Sequence, residues 1–325
     1  MFDVCVIGHV VRDINTIGGA EYDPRPGGAA YYSTMVYTRL GLRTAVLTKV
    51  SGNDEPQLLG EPRAAGVKVF NRPTERTTTF RNFYAPDNAD VRIQRVDSRA
   101  DRLTVADMPK IRARVWQIGP LTDQDIDPAI IVHCARRGDA VAMDVQGLTR
   151  CIVAGEVRAS EPWRGAGYLR DVDVLKADED EILIYTGCCT ICEAAAKVRR
   201  AGVGEVLITC GSRGSIVFAD GDPLEIDAVS PRRVVDATGC GDTYLAAYMV
   251  RRMTGADLRE CGSFASAAAS LNIENLGAFR GSAREIAERR IGLEHAAARQ
   301  SAESMQDQPF STVEPPPGRR LPRDN

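Results

Sequence analysis

The chain has 325 residues, of which 44% are hydrophobic and 26% charged, and its formal net charge is −3. These values predict a folded protein with one large α/β domain or two small ones. The acidic balance argues against nucleic acid as the main partner. No run of about 18 uninterrupted apolar residues occurs, so no membrane-spanning helix or membrane partner is expected. The nine cysteines are an odd number spread through apolar segments, which favours reduced thiols and a cytoplasmic location.

Apolar segments of strand length alternate with helical patterns along most of the chain. The predicted strands are Asp3–Ile7, Thr44–Val50, Val115–Ile118, Ala140–Val145, Val172–Lys176 and Val206–Cys210, and the predicted helices include Ala29–Leu40, Ala129–Arg137 and Ile191–Ala201. This alternation predicts an α/β fold with a mainly parallel sheet and helices on both faces. Ligands bind such sheets at the carboxyl ends of the strands, so we expect the functional site at that edge.

One region interrupts the alternation with short segments in which apolar and polar residues alternate. These segments are Val67–Asn71, Thr77–Tyr84 and Val91–Val96, which together with Ile14–Ala20 predict a small sheet outside the main one. We expect it to form a lid from segments of about 14–26 and 67–97, with a possible homodimer contact. The alternative is a surface β-meander that only pads the fold.

The C-terminal residues differ from the rest in composition. The sequence Pro315-Pro316-Pro317-Gly318-Arg319-Arg320 is rich in proline and polar residues, which is typical of disordered segments. We therefore expect a single domain at residues 1–300 and a disordered tail at residues 301–325.

The most informative motif is Asp236-Ala237-Thr238-Gly239-Cys240-Gly241-Asp242, which precedes an amphipathic segment. The apolar pair Val234-Val235 before it predicts the end of a strand, and the two glycines predict a tight turn into a helix. The free N–H groups of a helix start form an anion site. Asp242 is then placed to take a proton from a hydroxyl while the loop binds a phosphate. The alternative is that Asp242 only caps the helix.

Three further segments are candidates for ligand binding, and each also has a purely structural explanation. Gly27-Gly28 opens a predicted helix, and a glycine pair lets the backbone approach a ligand or simply make a turn. The acidic segment Lys176–Glu181 follows a strand, where acids also favour a helix start through the helix dipole. Thr209–Gly214 is a turn with two glycines between strands, which also occurs in proteins without ligands.

Taken together, these motifs resemble the PfkB (ribokinase-like) carbohydrate kinases in order and spacing over about residues 3–290. Asp236–Asp242 resembles the D-T-x-G-x-G-D signature of that family, with Ala237 and Cys240 as small replacements. Lys176–Glu181 resembles its N-x-x-E segment, with Asp178 in place of Asn, and Thr209–Gly214 resembles its T-x-G-x-x-G turn. The P-loop motif G-x-x-x-x-G-K-[ST] is absent, and the first strand does not lead into G-x-G-x-x-G, which argues against the two competing nucleotide folds.

The resemblance implies a kinase that uses ATP and Mg²⁺, with a monovalent cation such as K⁺ as a possible addition, and a role for each matched residue. Asp242 would be the general base, with Gly239, Cys240 and Gly241 around the transferring phosphate. The residues implied for the acceptor are Asp13, Gly27, Gly28 and Tyr32. Those implied for ATP are Lys176, Asp178, Thr209, Gly211 and Gly214, and Glu181 would act near the metal, usually through water.

The acceptor is expected to be a small neutral polyol. Tyr32 replaces an Asn that is common in the family, and its flat ring suits a cyclic polyol, such as the cyclitol myo-inositol, or a sugar. Motif wording around His9–Asp13 and Met143–Arg150 is similar to the inositol-kinase-like branch. Two alternatives remain, a nucleoside kinase of the same fold and a non-catalytic sensor of nucleotides or polyols.

Overall fold

The computed structural model describes residues 1–17, 19–85, 88–162 and 167–290. The predicted tail at 301–325 and the end of the predicted domain lie outside these residues. Within them, no helix combines the length and apolar character needed to cross a membrane.

The described residues form sixteen strands and seven α-helices. The strands are β1 (Phe2–Ile7), β2 (Val11–Ile17), β3 (Ala20–Glu21), β4 (Arg25–Gly27), β5 (Thr44–Thr48), β6 (Lys68–Asn71), β7 (Thr79–Ala85), β8 (Asn88–Ser98), β9 (Ala113–Ile118), β10 (Ala140–Asp144), β11 (Arg150–Val153), β12 (Glu156–Ala159), β13 (Val174–Asp178), β14 (Glu205–Thr209), β15 (Ser215–Phe218) and β16 (Leu224–Ile226). The helices are α1 (Ala29–Arg39), α2 (Glu55–Ala64), α3 (Ala129–Ala135), α4 (Glu179–Thr186), α5 (Ile191–Arg200), α6 (Cys240–Arg252) and α7 (Leu258–Asn272).

The main sheet has nine strands in the order β16-β15-β14-β13-β10-β9-β1-β5-β6. Its pairings from β14 through β6 are parallel, and β15 and β16 add an antiparallel edge. Successive side chains of a strand point to opposite faces, and the apolar ones therefore enter two separate cores. Val4 and Val6 of β1 pack in the core that includes α1, α6 and α7, whereas Cys5 and Ile7 pack in the core that includes α3, α4 and α5. The predicted layers, a sheet with helices on both faces, are confirmed.

A second, seven-stranded sheet stands apart from the main one. Its strands run in the order β11-β12-β8-β7-β2-β3. Strand β4, which directly precedes α1 in the chain, also pairs with β2. A small apolar core of Val11, Ala29, Phe80 and Leu121 joins this sheet to the main body. The predicted second sheet is therefore present, and β11 and β12 join it although the sequence did not indicate them.

Some details of the predicted elements are wrong. The segment Val67–Asn71 was assigned to the small sheet, yet β6 pairs in parallel with β5 at the edge of the main sheet. An edge strand is half-exposed, so its pattern matches that of a hairpin strand. No strand ends at Val234-Val235, because these exposed side chains lie on a loop that hydrogen-bonds to the carbonyl of Ile273. The strand predicted at Val172–Lys176 begins two residues later, at Val174.

Candidate active site

The turn before α6 brings backbone N–H groups to the carboxyl edge of the main sheet. Asp236 shapes the turn, since its Oδ1 accepts a 2.9 Å hydrogen bond from the N–H of Thr238. Gly239 then adopts a left-handed conformation with φ 76°, and α6 begins at Cys240. A Cβ atom at Gly239 would overlap the ring of Tyr32, and one at Gly241 would lie 2.9 Å from Nζ of Lys176. Glycine is therefore required at Gly239 by both its conformation and its neighbour.

Asp242 lies in the first turn of α6, where its side chain is half-buried. Burial raises its pKa, nearby Asp144 raises it further, and Lys176 partly opposes the shift, so that the pKa reaches about 7. Burial disfavours the charged form of a carboxyl group, which accounts for the direction. Asp242 therefore exchanges its proton near neutral pH, which is the range suited to a general base.

The predicted acceptor residues converge on the same place from the second sheet. Asp13 lies on β2, opposite Phe80 of β7, and its carboxylate occupies the space that a Cβ atom at Gly27 would need. Gly28 has φ 88°, and a Cβ atom there would lie 2.6 Å from the carbonyl oxygen of His9. Both glycines thus allow the start of α1 to pack closely against the sheet that carries Asp13.

Tyr32 joins the acceptor residues to the residues around α6. It lies on α1, is 5% exposed and packs its ring against Gly239. Burial raises the pKa of its hydroxyl, and the carboxylates of Asp13, Asp236 and Asp242 raise it further, in that order. The structure therefore brings together Asp13, Tyr32 and Asp242, which the sequence placed in three separate motifs.

The acidic segment after β13 forms the start of α4. Asp178 is the N-cap, its Oδ1 accepts a hydrogen bond of 2.7 Å from the N–H of Glu181, and Oε2 of Glu181 accepts one of 2.9 Å from the N–H of Asp178. This reciprocal capping box is the structural explanation for the acids. It leaves Oε1 of Glu181 buried, without a hydrogen-bond partner among the described residues.

Thr209, Gly211 and Gly214 form a turn beside this segment. Thr209 of β14 pairs with Asp178 of β13 in register, so the turn and the start of α4 are neighbours. Gly211 has φ 58° and open space where a Cβ atom would be, whereas a Cβ atom at Gly214 would overlap the carbonyl of Ile226. The backbone at Gly211 is therefore accessible to a ligand, while Gly214 is required by packing.

Asp144 and Arg150 also belong to this site, and the sequence reasoning did not select them. Asp144 ends β10 in register with Lys176 of β13, and its Oδ2 lies 3.0 Å from Nζ of Lys176. Arg150 begins β11, and its Nη2 lies 3.9 Å from Oε1 of Glu181. An acid at the carboxyl end of a predicted strand was the available signal for Asp144.

The acidic side chains here fit a magnesium ion held through water. Four carboxyl groups, of Asp144, Asp178, Glu181 and Asp242, lie close enough to influence the charge of Lys176, and Arg150 is a second cation near Glu181 and Asp242. Burial alone would raise the pKa of Glu181, but Lys176, the N–H of Asp178 and Arg150 outweigh it and lower the pKa. Within the described ranges, no three metal-ligating side chains are clustered to bind an ion directly. Mg²⁺ commonly keeps several waters and binds one or two carboxylates together with substrate phosphates, and Oε1 of Glu181, which has no hydrogen-bond partner among the described residues, suits such a water.

Comparison with known proteins decides the family. The family model for the pfkB family of carbohydrate kinases matches residues 165–284. A ribokinase of Arabidopsis thaliana is 40% identical over 117 residues, which are 34% of this chain and 31% of that protein. A nucleoside kinase of Methanothermobacter thermautotrophicus is 30% identical over 268 residues, which are 77% of this chain and 79% of that protein. The chain belongs to the pfkB family of carbohydrate kinases.

A solved structure extends the pfkB likeness to the whole fold. It is a pyrophosphate-dependent kinase in the ribokinase family, complexed with a pyrophosphate analog and myo-inositol. Its TM-score is 0.78 at 27% identity, and the match covers 88% of this chain and 99% of that one. The expected ribokinase-like fold is confirmed, and so is the expected enzyme class, a phosphotransferase with an alcohol group as acceptor.

Proposed function

We propose that this protein phosphorylates a hydroxyl group of a small neutral polyol, with a cyclitol such as myo-inositol as the first choice and Asp242 as the general base. The observation that carries the proposal is that Asp13 and Asp242 both lie near Tyr32, whose ring packs against Gly239 of the loop Gly239–Gly241, here called the anion loop. A carboxylate at Asp13 can accept hydrogen bonds from acceptor hydroxyls. The nine free cysteines fit the proposed cytoplasmic location.

The proposed reaction is an in-line transfer of the donor's terminal phosphoryl group. The acceptor oxygen attacks the terminal phosphorus, its proton passes to Asp242, and the bond to the leaving oxygen breaks with its electron pair on the leaving group. The N–H groups of Gly239 and Gly241 stabilise the charge on the transferring group, whereas the N–H of Cys240 donates to the carbonyl oxygen of Ala237 at 3.2 Å. Lys176, Asp178, Thr209, Gly211 and Gly214 are proposed to lie along the donor. Mg²⁺, held through Glu181, would neutralise the donor's phosphates.

The choice of a neutral acceptor rests on the charges near Asp13. A phosphorylated sugar is normally held by Arg or Lys side chains. Arg12, next to Asp13 in sequence, instead pairs with Asp54 at 3.4 Å. A nucleoside is the alternative acceptor, and the match to a nucleoside kinase over 77% of this chain favours it.

The donor also has two candidates. Kinases of the ribokinase family use ATP, which we propose as the donor here. Inorganic pyrophosphate is the second candidate, because the structurally similar kinase that was solved with myo-inositol is pyrophosphate-dependent. Both donors carry the same terminal phosphoryl group.

A matrix of acceptors and donors tests the proposal. We expect kcat/KM to be highest for myo-inositol among myo-inositol, ribose, cytidine and fructose 6-phosphate, each measured with ATP and with pyrophosphate in the presence of MgCl₂. A nucleoside that leads by tenfold would select the alternative acceptor. A tenfold lead for fructose 6-phosphate would contradict the assignment of a neutral pocket, and no transfer to any polyol or nucleoside would contradict the proposed function.

We further propose that the second sheet acts as a lid over the acceptor. Asp13 is carried by this sheet whereas Asp242 is carried by α6, so a bound acceptor would connect the two and exclude water. We expect the amides of β2 and β7 to exchange hydrogen at least tenfold more slowly when saturating acceptor is present. The amides of α5, on the far face of the main sheet, are the control. Equal exchange of β2 and β7 with and without acceptor would contradict the lid.

A further inference from the structure

Asn272, the last residue of α7, lies buried behind the anion loop and is 1% exposed. Its Nδ2 donates a 3.2 Å hydrogen bond to the carbonyl oxygen of Thr238 and a 3.6 Å one to Sγ of Cys240. The thiol of Cys240 in turn donates to the carbonyl oxygen of Ala269, one turn earlier in α7, at 3.7 Å. The end of α7 therefore holds the loop on both sides of Gly239.

The hydrogen bond to Thr238 fixes the direction of one N–H group of the loop. A peptide group is planar and trans, so its C=O and its N–H point in opposite directions. The carbonyl of Thr238 and the N–H of Gly239 belong to the same peptide group. Because Asn272 holds this carbonyl toward α7, the N–H of Gly239 is directed to the other side of the loop. A hydrogen bond to the carbonyl also polarises the peptide group, which strengthens its N–H as a donor.

The amide of Asn272 destabilises the core in which it lies. Its Oδ1 is buried and has no hydrogen-bond partner among the described residues. A buried polar atom without a partner is unfavourable, and an apolar side chain of similar size would avoid the penalty. What such a side chain could not do is donate to Thr238. The role of Asn272 therefore lies in its Nδ2 group and in the loop that this group holds.

We propose that Asn272 is a positioning residue for phosphoryl transfer, which aims the N–H of Gly239 at the transferring group through the carbonyl of Thr238. This inference rests on the proposed function and adds a residue that lies outside the motifs matched in the sequence. Glycine permits many backbone conformations, so a loop centred on Gly239 needs an anchor from another element. A donor that is already aimed stabilises the growing negative charge without reorganisation.

Asn272→Leu tests the proposal, because leucine has a similar size but cannot donate to Thr238. The matched control is Ser266→Ala. Ser266 is also a buried residue of α7, and its hydroxyl holds a different loop by accepting from the N–H of Val229 at 3.1 Å and donating to the carbonyl oxygen of Asp227 at 2.9 Å. Each variant thus removes a buried side-chain anchor from the same helix, but only one of the anchors holds the anion loop.

We expect both variants to melt a few degrees below the wild type, while kcat falls about 10–10²-fold for Asn272→Leu and stays within about twofold for Ser266→Ala. The loss is smaller than the roughly 10²–10³-fold effect of removing a donor outright, because the N–H of Gly239 remains present but is no longer aimed. The KM for the acceptor should stay within about twofold in both variants, since the loop acts on the transferring group.

A double-mutant cycle separates positioning from a general loss of stability. Gly239→Ala displaces the same N–H groups, so adding Asn272→Leu to that variant should lower kcat by less than about threefold, because residues that act through one group are not additive. An equal factor in both backgrounds would overturn the proposal, and so would a kcat of Asn272→Leu within about twofold of wild type. If Asn272→Leu does not fold, the smaller Asn272→Ala undergoes the same measurements.

Calorimetry with inorganic pyrophosphate and with ATP, each with MgCl₂, decides the matter if the wild type phosphorylates none of the acceptors, a result that refutes the proposed function alone. We then expect Asn272→Leu to bind these anions at least about threefold more weakly than Ser266→Ala does, since a misaimed N–H makes a poorer hydrogen bond. Equal binding by the two variants, or no binding of either anion to the wild type, would overturn the positioning role.

Discussion

Replacing Asp242 with Asn should lower kcat by about 10²–10⁴-fold, the usual cost of removing a general base. The variant keeps the size of the side chain at the start of α6 but cannot accept the acceptor's proton. The measurement is steady-state kcat with the best acceptor and donor. Asp180→Asn is the matched control, because it removes an equal charge from the exposed side of the α4 start, and its kcat should stay within about twofold of wild type. A near-wild-type kcat for Asp242→Asn would contradict the mechanism.

The raised pKa of Asp242 makes the same prediction testable by pH. The wild-type kcat/KM should be constant above about pH 7 and fall tenfold per pH unit below it, as Asp242 takes up its proton. The residual kcat/KM of Asp242→Asn should lack this decline. Stability follows the opposite sign, since a folded-state pKa above the ordinary aspartate value of 3.8 gives a stabilising contribution that is full below about pH 4 and lost as the pH rises through 7. At pH 8 the variant should therefore melt no lower than wild type.

The main sheet could be predicted because its strands carry their own signal. A strand buried on both faces is a nearly continuous apolar run, as in Val4–Ile7, and the helices between such runs begin and end at recognisable residues. Strand β6 could not be assigned to a sheet from its sequence, because its half-exposed pattern fits an edge strand of either sheet. Which partner it takes depends on tertiary contacts that no single segment encodes.

Some residues of the candidate site could likewise be predicted from the sequence, and others could not. Motifs made of adjacent residues, such as Gly239–Asp242, could be found because a turn and a carboxylate act within one segment. Asp144 carried a signal, as an acid at the end of a predicted strand, but its partner could not be predicted, since β10 lies beside β13 and only this register places Asp144 against Lys176. The contact of Tyr32 with Gly239 likewise joins two helices, and it explains why a position chosen for the acceptor also shapes the anion loop.

The second large loss of kcat is expected for Gly239→Ala, a substitution within the anion loop. Gly239 has φ 76°, a conformation that costs an L-residue about 1–2 kcal/mol, and the added Cβ atom would overlap the ring of Tyr32. Because α1 fixes that ring within the core, the turn must move, and its N–H groups leave the position of the phosphoryl group. We expect kcat to fall about 10²–10³-fold, the scale of losing one such donor.

Gly255→Ala provides the matched control at the other end of the same helix. Gly255 also has a left-handed φ, of 80°, but no atom lies within 4 Å of the position of its Cβ atom. The control therefore has the same backbone strain without the overlap, so both variants should lower the melting temperature while only Gly239→Ala loses turnover. Thermal unfolding and kcat, measured on both variants, distinguish backbone strain from a displacement of the loop's N–H groups. If Gly239→Ala retains as much turnover as Gly255→Ala, the N–H groups of this loop do not bind the transferring phosphoryl group.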